Sequence, residues 1–373
     1  MKRDFKLYVR VFLAFAFLFC LSLAQDFSMD QLKQLVETNG KLYLQPLATS
    51  FGTAMNTGLY NTAKTHKMLG FDLQLKTCFG LAPAGSSKET NYQFDLSALD
   101  PVEFFIQDYS VELNPEDIFS DAKTPNILGG KAEYFTVDNT YVTSEIRTQL
   151  YTQIQTQYPT LTSQQINAMI DGMSSDISDA IETEIKIKSL PGVKSIKALE
   201  NLKTVPFPFP VLQASVGLPF GLEPSIRLLP AFKIPGDLGK AIGEISVFGA
   251  GLKVDLDQFI PIPLFPVDIA AQAYFQKMKI GEILSGTSTS FNLMASKKIL
   301  FLTPYVGVGK ESSSFTASYK MEDGSKQDFK VDGKNDVRMT AGLNIKLLVL
   351  QLNAEYSKGE YDALGLGVGF ALR

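Results

Sequence analysis

The feature that most constrains this chain is a strict two-residue alternation, which is clearest near its C-terminal end. From Leu364 to Leu372 every even position carries a large apolar residue, and every odd position carries Gly or Ala. The same period recurs over residues 69–76, 248–256 and 337–347, where Gly, polar or charged residues occupy the second set of positions. Successive side chains of a β-strand point to opposite faces of the sheet. The alternation therefore predicts strands with one apolar face and one small or polar face.

The length of these strands favours a membrane barrel over a soluble sandwich. Many of them extend over about ten to fourteen residues, whereas strands of ordinary sheets most often contain five or six. A tilted strand needs about nine to eleven residues to cross a bilayer. A membrane barrel turns its apolar face to lipid and its small or polar face to the lumen. We therefore predict an all-β fold, a transmembrane antiparallel β-barrel.

About fourteen strands can be placed along the sequence, an even number, as in bacterial single-chain barrels. The candidates are residues 42–58, 67–79, 90–98, 102–113, 130–137, 211–218, 224–233, 243–256, 267–280, 287–299, 302–319, 335–347, 349–358 and 361–373. Residues 297–300 and 347–349 are predicted periplasmic turns, and residues 320–335 are a predicted external loop.

The first 24 residues have the pattern of a secretory signal peptide. Four basic residues precede an apolar run from Val11 to Ala24, which is shorter than the roughly 20 residues that a membrane-spanning helix needs. Removal of residues 1–24 also removes Asp4 and changes the net charge from −4 to −7, which gives no reason to expect nucleic-acid binding. The expected location is the outer membrane, reached through this signal peptide.

Two segments have helical rather than strand periodicity. Residues 25–41 form a predicted N-terminal helical segment, because Ser28 and Gln31 have capping-box spacing and apolar residues follow on one face. This segment would lie in the periplasm or plug the barrel, which itself spans residues 42–373.

The second helical segment is a predicted insert in the barrel at residues 144–203. Thr162 and Gln165 can cap a helix there, and apolar residues follow at helical spacing as far as Ile185. With the strand count above, the insert falls on the extracellular side, as a cap or as an element folded into the lumen.

Three stretches carry a resemblance to a known family. They are YLQPLATSFGTAMNTGLYNTAK at residues 43–64, MLGFDLQL at residues 68–75 and PVDIAAQAYFQKMKIG at residues 266–281. These stretches resemble an uncharacterised family of Gram-negative outer-membrane β-barrel-type proteins, a resemblance that covers about residues 29–135 and 205–373. The order of an N-terminal helix and about fourteen strands is also distantly similar to the long-chain fatty acid transporter family, although that family's hatch motif is absent. The second resemblance implies passage of hydrophobic compounds across the outer membrane.

Few residues have the pattern of a catalytic site. The single His, His66, could act as a base or a pH-sensitive contact, but its position between Lys64 and Lys67 predicts a solvated loop residue. Cys78 is predicted to be an ordinary residue of an apolar strand face. The nucleophile elbow, P-loop and zinc-protease motifs do not occur in the sequence. We therefore expect no enzymatic activity and no cofactor.

Charged residues allow two interpretations of the barrel interior. Asp323, Asp328, Asp332 and Asp336 are interleaved with Lys and predict a solvated external loop rather than a Ca²⁺ site. The charged residues predicted to face the lumen are Arg227, Lys253, Asp255, Asp268, Arg338, Lys346 and Glu355. They could line a polar route, or they could pair with each other inside a narrow barrel.

Two function classes follow from the sequence. The first is an outer-membrane barrel for passive transport or binding of small hydrophobic molecules. The second is a surface or structural barrel without transport, or a secreted β-protein, whose helical insert binds a partner. The expected partners are outer-membrane lipid and a small hydrophobic ligand, no nucleic acid is expected, and the identity of a protein partner is left open.

Overall fold

A computed structural model of the chain describes residues 37–132, 134–185, 189, 191–195, 197, 199–233, 244–259, 267–320 and 326–372. The predicted signal peptide and most of the predicted N-terminal helical segment lie outside these residues. The described chain divides into two compact units. The first unit contains residues 44–86 and 201–372, and the second contains residues 37–43 and 87–200. No helix among the described residues is long and apolar enough to cross a membrane.

The helices are α1 (Glu37–Met55), α2 (Ser87–Thr90), α3 (Pro115–Ile118), α4 (Asn139–Gln157), α5 (Ser163–Gly172) and α6 (Ser174–Glu184). The strands are β1 (Phe71–Pro83), β2 (Asn91–Gln93), β3 (Val102–Ile106), β4 (Tyr109–Leu113), β5 (Phe119–Asp121), β6 (Lys123–Pro125), β7 (Thr136–Val137), β8 (Thr204–Val216), β9 (Leu222–Lys233), β10 (Glu244–Asp255), β11 (Asp268–Ile280), β12 (Leu284–Ser296), β13 (Leu302–Lys320), β14 (Lys326–Asp332), β15 (Val337–Leu347), β16 (Leu350–Lys358) and β17 (Asp362–Leu372).

Ten antiparallel strands of the first unit close into a barrel. Their order is β1, β8, β9, β10, β11, β12, β13, β15, β16 and β17, and β17 pairs with β1 to complete the ring. β14 pairs with β13 as an additional strand. We call the end of the barrel where β17 ends and β1 begins the C-terminal rim, and the other end the opposite rim. The all-β antiparallel barrel is thus confirmed.

The predicted count of about fourteen strands is not confirmed, because four candidates do not belong to the barrel. Residues 42–58 lie largely in helix α1. Residues 90–98, 102–113 and 130–137 belong to the second unit, where they supply β2, the β3–β4 hairpin and β7. Short apolar runs do not by themselves distinguish a buried helix from a strand. The predicted external loop at residues 320–335 instead contains β14.

The register of the strands fixes the tilt of the barrel. A row of paired residues that leaves β13 at Leu302 returns to β13 at Ser314, 12 residues farther along the strand. The row passes through Leu302, Ile345, Leu352, Val368, Leu75, Leu212, Leu228, Phe248, Lys277, Thr287 and Ser314. Ten strands with this stagger tilt by about 40° from the barrel axis. The lumen is therefore wide enough to hold side chains and one segment of chain.

The outer face of the barrel is an apolar belt. Leu366 and Phe370 on β17 are 46% and 58% exposed, so no second layer of protein covers them. The belt also contains Phe71, Leu73, Leu75, Leu212, Ile226, Leu228, Phe248, Leu252, Phe275, Phe291, Leu293, Val306, Val308, Met339, Leu343, Leu352, Leu364 and Val368. On β17 it extends from Leu364 to Leu372, roughly 20 Å along the axis of a tilted barrel.

Polar residues form the edge of this belt on the side of the opposite rim. Lys277, Thr289, Lys310 and Lys358 follow the last apolar outward positions of their strands and are all exposed. The alternation of the sequence therefore assigned the outward and inward faces of the C-terminal strands correctly.

The second unit has a hydrophobic core of its own. Helices α4, α5 and α6 pack with the β3–β4 hairpin around Ile146, Ile170, Ile177, Phe104 and Val111. The predicted capping box of Thr162 and Gln165 begins α5. The single helix expected after it ends at Gly172, and a new helix begins at Ser174. The helical insert predicted at residues 144–203 is thus part of a unit whose larger segment begins at Ser87.

Candidate functional site

The lumen of the barrel is occupied by the chain segment that precedes β1. Every residue from Pro46 to Ala63 is buried. A Cβ added at Gly52 of α1 would lie 2.1 Å from Ser313 Oγ on β13, and one added at Gly80 of β1 would lie 2.2 Å from the carbonyl oxygen of Ser50. Since helix and wall approach this closely, Gly is required on both sides. We call residues 44–66 the plug.

The plug passes through the barrel from one rim to the other. Near the opposite rim, Gln45 Nε2 donates to the carbonyl oxygen of Asp332 at 2.7 Å. Near the middle, Arg338 Nη1 donates to Thr57 Oγ1 at 2.7 Å. At the C-terminal rim, His66 contacts Glu223, and β1 begins a few residues later. The segment predicted as the first strand therefore fills the lumen instead of forming its wall.

The middle of the lumen contains two acidic side chains, of which Glu355 binds the plug directly and Glu311 holds it through Arg338. Glu311 pairs with Arg338, whose guanidinium also donates from Nη2 to the carbonyl oxygen of Thr53 at 3.0 Å. Glu355 Oε1 accepts a hydrogen bond from the backbone N–H of Gly58 at 2.5 Å, and its Oε2 accepts one from Tyr305 Oη at 2.9 Å. These carboxylates connect the plug to β13 and β16.

Two buried cations bind backbone carbonyl groups of the plug at the end of α1 and just after it. Arg227 is completely buried and donates from Nη1 to the carbonyl oxygen of Met55 at 3.0 Å and from Nε to Gln213 Oε1 at 2.8 Å. Lys76 Nζ donates to the carbonyl oxygen of Gly58 at 2.5 Å. The last carbonyls of a helix have no partner within the helix and carry partial negative charge. Arg227 therefore satisfies a terminal carbonyl of α1, and Lys76 satisfies a carbonyl three residues after the helix ends.

A third cluster fixes the plug at the C-terminal rim. Glu223 Oε2 accepts hydrogen bonds at 2.7 Å from both the backbone N–H and the Nδ1 of His66. Lys253 Nζ lies 2.8 Å from Glu223 Oε1. His66 Nε2 lies 3.8 Å from Asp72 Oδ2 and has no hydrogen-bond partner among the described residues. Charges of both signs thus hold the end of the plug.

The structure corrects the predictions for His66 and Cys78. His66 is 2% exposed rather than solvated, because the backbones of Gly70 and Gly217 are hydrogen-bonded next to it. Cys78 lies on the inner face of β1, where its Sγ donates to the carbonyl oxygen of Thr57 at 3.1 Å. Cys78 and the inward-facing Asp72 both occupy even positions of β1. This shared parity was the sequence signal that could have assigned Cys78 to the inner face.

The residues predicted to face the lumen fall into two groups. Arg227, Lys253, Arg338 and Glu355 are buried in the lumen, and their contacts favour pairing over an open polar route. Asp255, Asp268 and Lys346 lie at the C-terminal rim and are only partly covered. Glu223 and Glu311, which pair with these cations, were not singled out from the sequence. Asp323 lies outside the described residues, among which no cluster suited to a metal ion occurs.

Toward the opposite rim, the side of the lumen that faces Phe51 is apolar, and we call it the apolar half; on the other side of α1, Ser313 and Asn335 are buried and polar. Phe51 of α1 packs between Phe207 of β8 and Phe315 of β13, with ring centroids 5.8 and 6.2 Å away. Other inward side chains of this half are buried and apolar: Leu47, Phe209, Val211, Val247 and Met278. A small apolar recess of about 10 Å³, enough for about one water molecule, is lined there by Leu44, Leu47, Ala48, Leu284, Phe315, Ala317 and Val331.

These features define a closed β-barrel protein whose lumen holds its own plug. The chain belongs to DUF6588, a family of unknown function, whose model matches residues 1–372. The predicted membership of an uncharacterised barrel-type family is thereby confirmed. No curated protein matches the chain.

Several solved outer-membrane structures are similar to parts of the chain. The N-terminal β-barrel domain of Pseudomonas aeruginosa OprF is 17% identical, with 34% of this chain and 87% of that chain covered and a TM-score of 0.22. A loop-deletion mutant of Vibrio cholerae OmpT is 13% identical over 43% of this chain and 53% of that one, with a TM-score of 0.23. Ail of Yersinia pestis is 12% identical over 40% and 93%, with a TM-score of 0.20. These scores are too low to transfer any property to this chain.

Proposed function

We propose that this protein is an integral barrel of the outer membrane, exported by the signal peptide at residues 1–24. The apolar belt supports this proposal, because a soluble protein rarely exposes a continuous apolar surface on this scale. The height of the belt, roughly 20 Å on β17, is close to the apolar band of outer-membrane barrels, which is about 25 Å tall. Lys277, Lys310 and Lys358 would then lie at the level of the lipid head groups.

We propose further that the barrel binds small hydrophobic molecules and gives them passive passage, without catalysis. The observation that carries this proposal is the apolar half of the lumen, where side chains such as Phe51 and Phe315 would have to move apart around a ligand because the recess beside them has a volume of only about 10 Å³. Pockets for small ligands are mostly apolar concavities with few polar groups. The paired charges in the other half oppose a water-filled channel. Small hydrophobic molecules therefore suit the interior better than ions or sugars.

Binding can be measured on the full-length protein in phosphatidylcholine liposomes with the apolar fluorophore N-phenylnaphthylamine. Ala317→Phe fills the recess and is expected to weaken binding by at least about tenfold. The matched control is Ala354→Phe, which adds the same volume on the lipid-facing side of β16 and should bind normally. Equal binding by the two variants, or a steady ion conductance in planar bilayers, would contradict the proposal.

The membrane location has a separate test. The protein should remain in the membrane fraction after alkaline carbonate extraction, and unheated samples should migrate differently from heated samples on gels. Release into the soluble fraction would refute an integral barrel.

A second candidate function assigns partner binding to the second unit. The observation that favours it is the exposed outward face of the β3–β4 hairpin. Phe105 is 65% exposed on this face, next to Glu103 on its own strand and Ser110 on the facing strand. The two functions are separable, because the backbone N–H of Ala84 donates to the carbonyl oxygen of Lys203 at 2.9 Å. A short linker can therefore replace residues 87–200. Loss of fluorophore binding in that variant would favour a role for the second unit in the same function.

A further inference from the structure

The turns at the C-terminal rim carry large apolar residues at their tips. Four described turns have such a tip, and each tip is strongly exposed: Leu69 74%, Phe220 85%, Leu300 82% and Leu348 93%. The neighbouring residues of these turns are also apolar and exposed: Met68, Leu218, Ile299, Phe301, Leu347 and Val349. We call these residues together the crown. The connection between β10 and β11 is described only as far as Phe259, which is 72% exposed.

The geometry of these turns does not explain their apolar residues. All four tips have a positive φ, between 57° and 64°, which is the left-handed region that large side chains rarely adopt. Two of the turns are hairpin loops of only two residues, Leu300-Phe301 and Leu348-Val349. Loops of this length ordinarily contain Asn-Gly or Asp-Gly, which tolerate a positive φ and suit water. The surroundings of the rim must therefore favour Leu and Phe at these positions.

The described turns of the opposite rim have the usual composition of turns in water. They combine Gly with charged residues: Gly281 with Glu282, Gly333 with Lys334 and Asp336, and Gly359 with Glu360. Both rims belong to the same strands, so strand geometry alone does not produce this contrast. The two ends of the barrel are therefore adapted to different surroundings.

The crown continues the apolar belt beyond the ends of the strands. Phe71 of β1 and Leu372 of β17 form the base of the belt, where they pair with each other, and Leu69 lies two residues before Phe71. The belt alone is roughly 20 Å high on β17, whereas the apolar band of outer-membrane barrels is about 25 Å tall. Each tip lies about one residue, roughly 3 Å, beyond the last strand pair, and its side chain reaches farther. With the crown, the apolar surface therefore approaches the height of that band.

Positive charge accompanies the crown. Lys67, Lys297 and Lys298 are exposed next to its apolar residues, and residues 67–70, 217–221, 297–301 and 346–349 contain no acidic residue. On the neighbouring strand β11, Asp268 is already paired with Lys64 at 3.1 Å. A Lys side chain can lay its apolar stem along lipid chains while its ammonium group stays at the level of the phosphates. An acidic protein surface would also attract these lysines, but it would not explain why the crown continues the belt.

We infer that the crown is a binding surface for anionic phospholipids. Its apolar tips lie among the lipids of the leaflet that adjoins the C-terminal rim, and Lys67, Lys297 and Lys298 bind the phosphate groups of those lipids. Short turns of outer-membrane barrels lie on the periplasmic side, so this leaflet is the periplasmic one. The inference rests on the proposed membrane location, and it adds the class of lipid that this rim selects.

The chain contains no Trp, so a single introduced Trp reports on its own position alone. Leu300→Trp and Leu348→Trp probe the crown, Leu366→Trp probes the middle of the belt, and Glu360→Trp probes a turn of the opposite rim. Each full-length variant is refolded into phosphatidylcholine vesicles that contain brominated phosphatidylcholine, and acrylamide serves as the quencher in water. We expect brominated lipid to quench the Trp residues of the crown and belt, and acrylamide to quench the Trp at position 360 more than these.

Lipid selectivity is measured with the Leu300→Trp protein, whose Trp lies next to two of the lysines. Brominated phosphatidylglycerol is compared with brominated phosphatidylcholine at equal mole fractions, and we expect the anionic lipid to bind at least about threefold more tightly. Lys297→Gln together with Lys298→Gln should return this ratio to about one. Lys277→Gln is the matched control, because it removes an exposed Lys at the other edge of the belt and should leave the ratio unchanged.

Two results would overturn the inference while the belt Trp at position 366 remains quenched by lipid. One is quenching of the crown Trp residues by acrylamide but not by brominated lipid, which would place the crown in water. The other is equal binding of the two lipids at the intact crown. If acrylamide also quenches the Trp at position 366 and brominated lipid does not, the proposed membrane location itself fails, and the inference fails with it.

Discussion

The two halves of the lumen hold the same plug by different physical means. Toward the C-terminal rim, Glu223 binds His66 and Lys253 inside the barrel. Toward the opposite rim, Phe51 packs between Phe207 and Phe315. A buried ion pair is strongly destabilised when one partner is removed, because the other charge stays buried without compensation. Apolar packing adapts more easily to a change of shape. The half that contains Glu223 is therefore suited to fix the plug, and the apolar half is suited to bind a small hydrophobic molecule.

The largest expected effect comes from breaking the ionic half. Glu223→Ala leaves Lys253 buried without its partner, and we expect a loss of about 3–5 kcal/mol in the free energy of unfolding. Urea unfolding of the protein refolded in detergent or liposomes measures it. Glu223→Gln keeps an acceptor oxygen for His66 and should cost less. A loss below about 1 kcal/mol for Glu223→Ala would mean that this cluster does not fix the plug.

The comparison also depends on which face of the wall is inside. Leu366→Lys places a charge in the middle of the apolar belt, which we expect to cost about 2–4 kcal/mol of folding stability in lipid. Ser312→Lys is the control, because Ser312 points outward beyond the edge of the belt. Equal folding yields of the two variants in liposomes would show that the belt does not face hydrocarbon.

A smaller effect is expected in the apolar half. Phe51→Leu conserves the apolar character between Phe207 and Phe315, and we expect a loss of about 1 kcal/mol together with faster entry of the fluorophore. Phe291→Leu is the control on the lipid-facing side, where stability should change by about 0.5 kcal/mol or less. A loss as large as that for Glu223→Ala would remove the proposed difference between the two halves.

The smallest effect is expected for an ion pair outside the lumen. Lys310 Nζ lies 3.6 Å from Asp336 Oδ1, and these side chains are 77% and 66% exposed. Exposed pairs contribute little because water and salt screen them, so Lys310→Ala should change stability by about 0.5 kcal/mol or less. A loss similar to that of the buried pair would show that burial does not distinguish the two.

The C-terminal strands could be predicted closely from the sequence, but the plug could not. The candidates 335–347 and 361–373 match β15 and β17 within two residues. One face of these strands is exposed and the other is buried, and this difference produces a clear alternation of residue types in the sequence. Helix α1 is enclosed by the barrel along much of its length. A helix that is surrounded by protein shows no apolar stripe, and its small and apolar residues at 42–58 were therefore interpreted as a strand.

The same contrast applies to the candidate site. Parity along a strand was enough to predict that Arg227, Arg338, Lys253 and Glu355 point inward. Their partners were not predictable, because many of these partners are backbone groups of the plug, such as the carbonyls of Met55 and Thr53. Every residue carries such groups, so they leave no signal in the sequence. The burial of His66 likewise depends on the approach of two backbone segments that are far apart in the chain.

The position of the plug restricts the order in which this molecule can assemble. β1 pairs with β17, so the cylinder is complete only after the last strand has been delivered to the membrane. If that closure came first, a segment that runs from one rim to the other could reach its place only by threading through the finished cylinder with its N-terminal end leading. Residues 44–66 avoid this threading when they are already in place while the sheet is still open and the strands then pair around them.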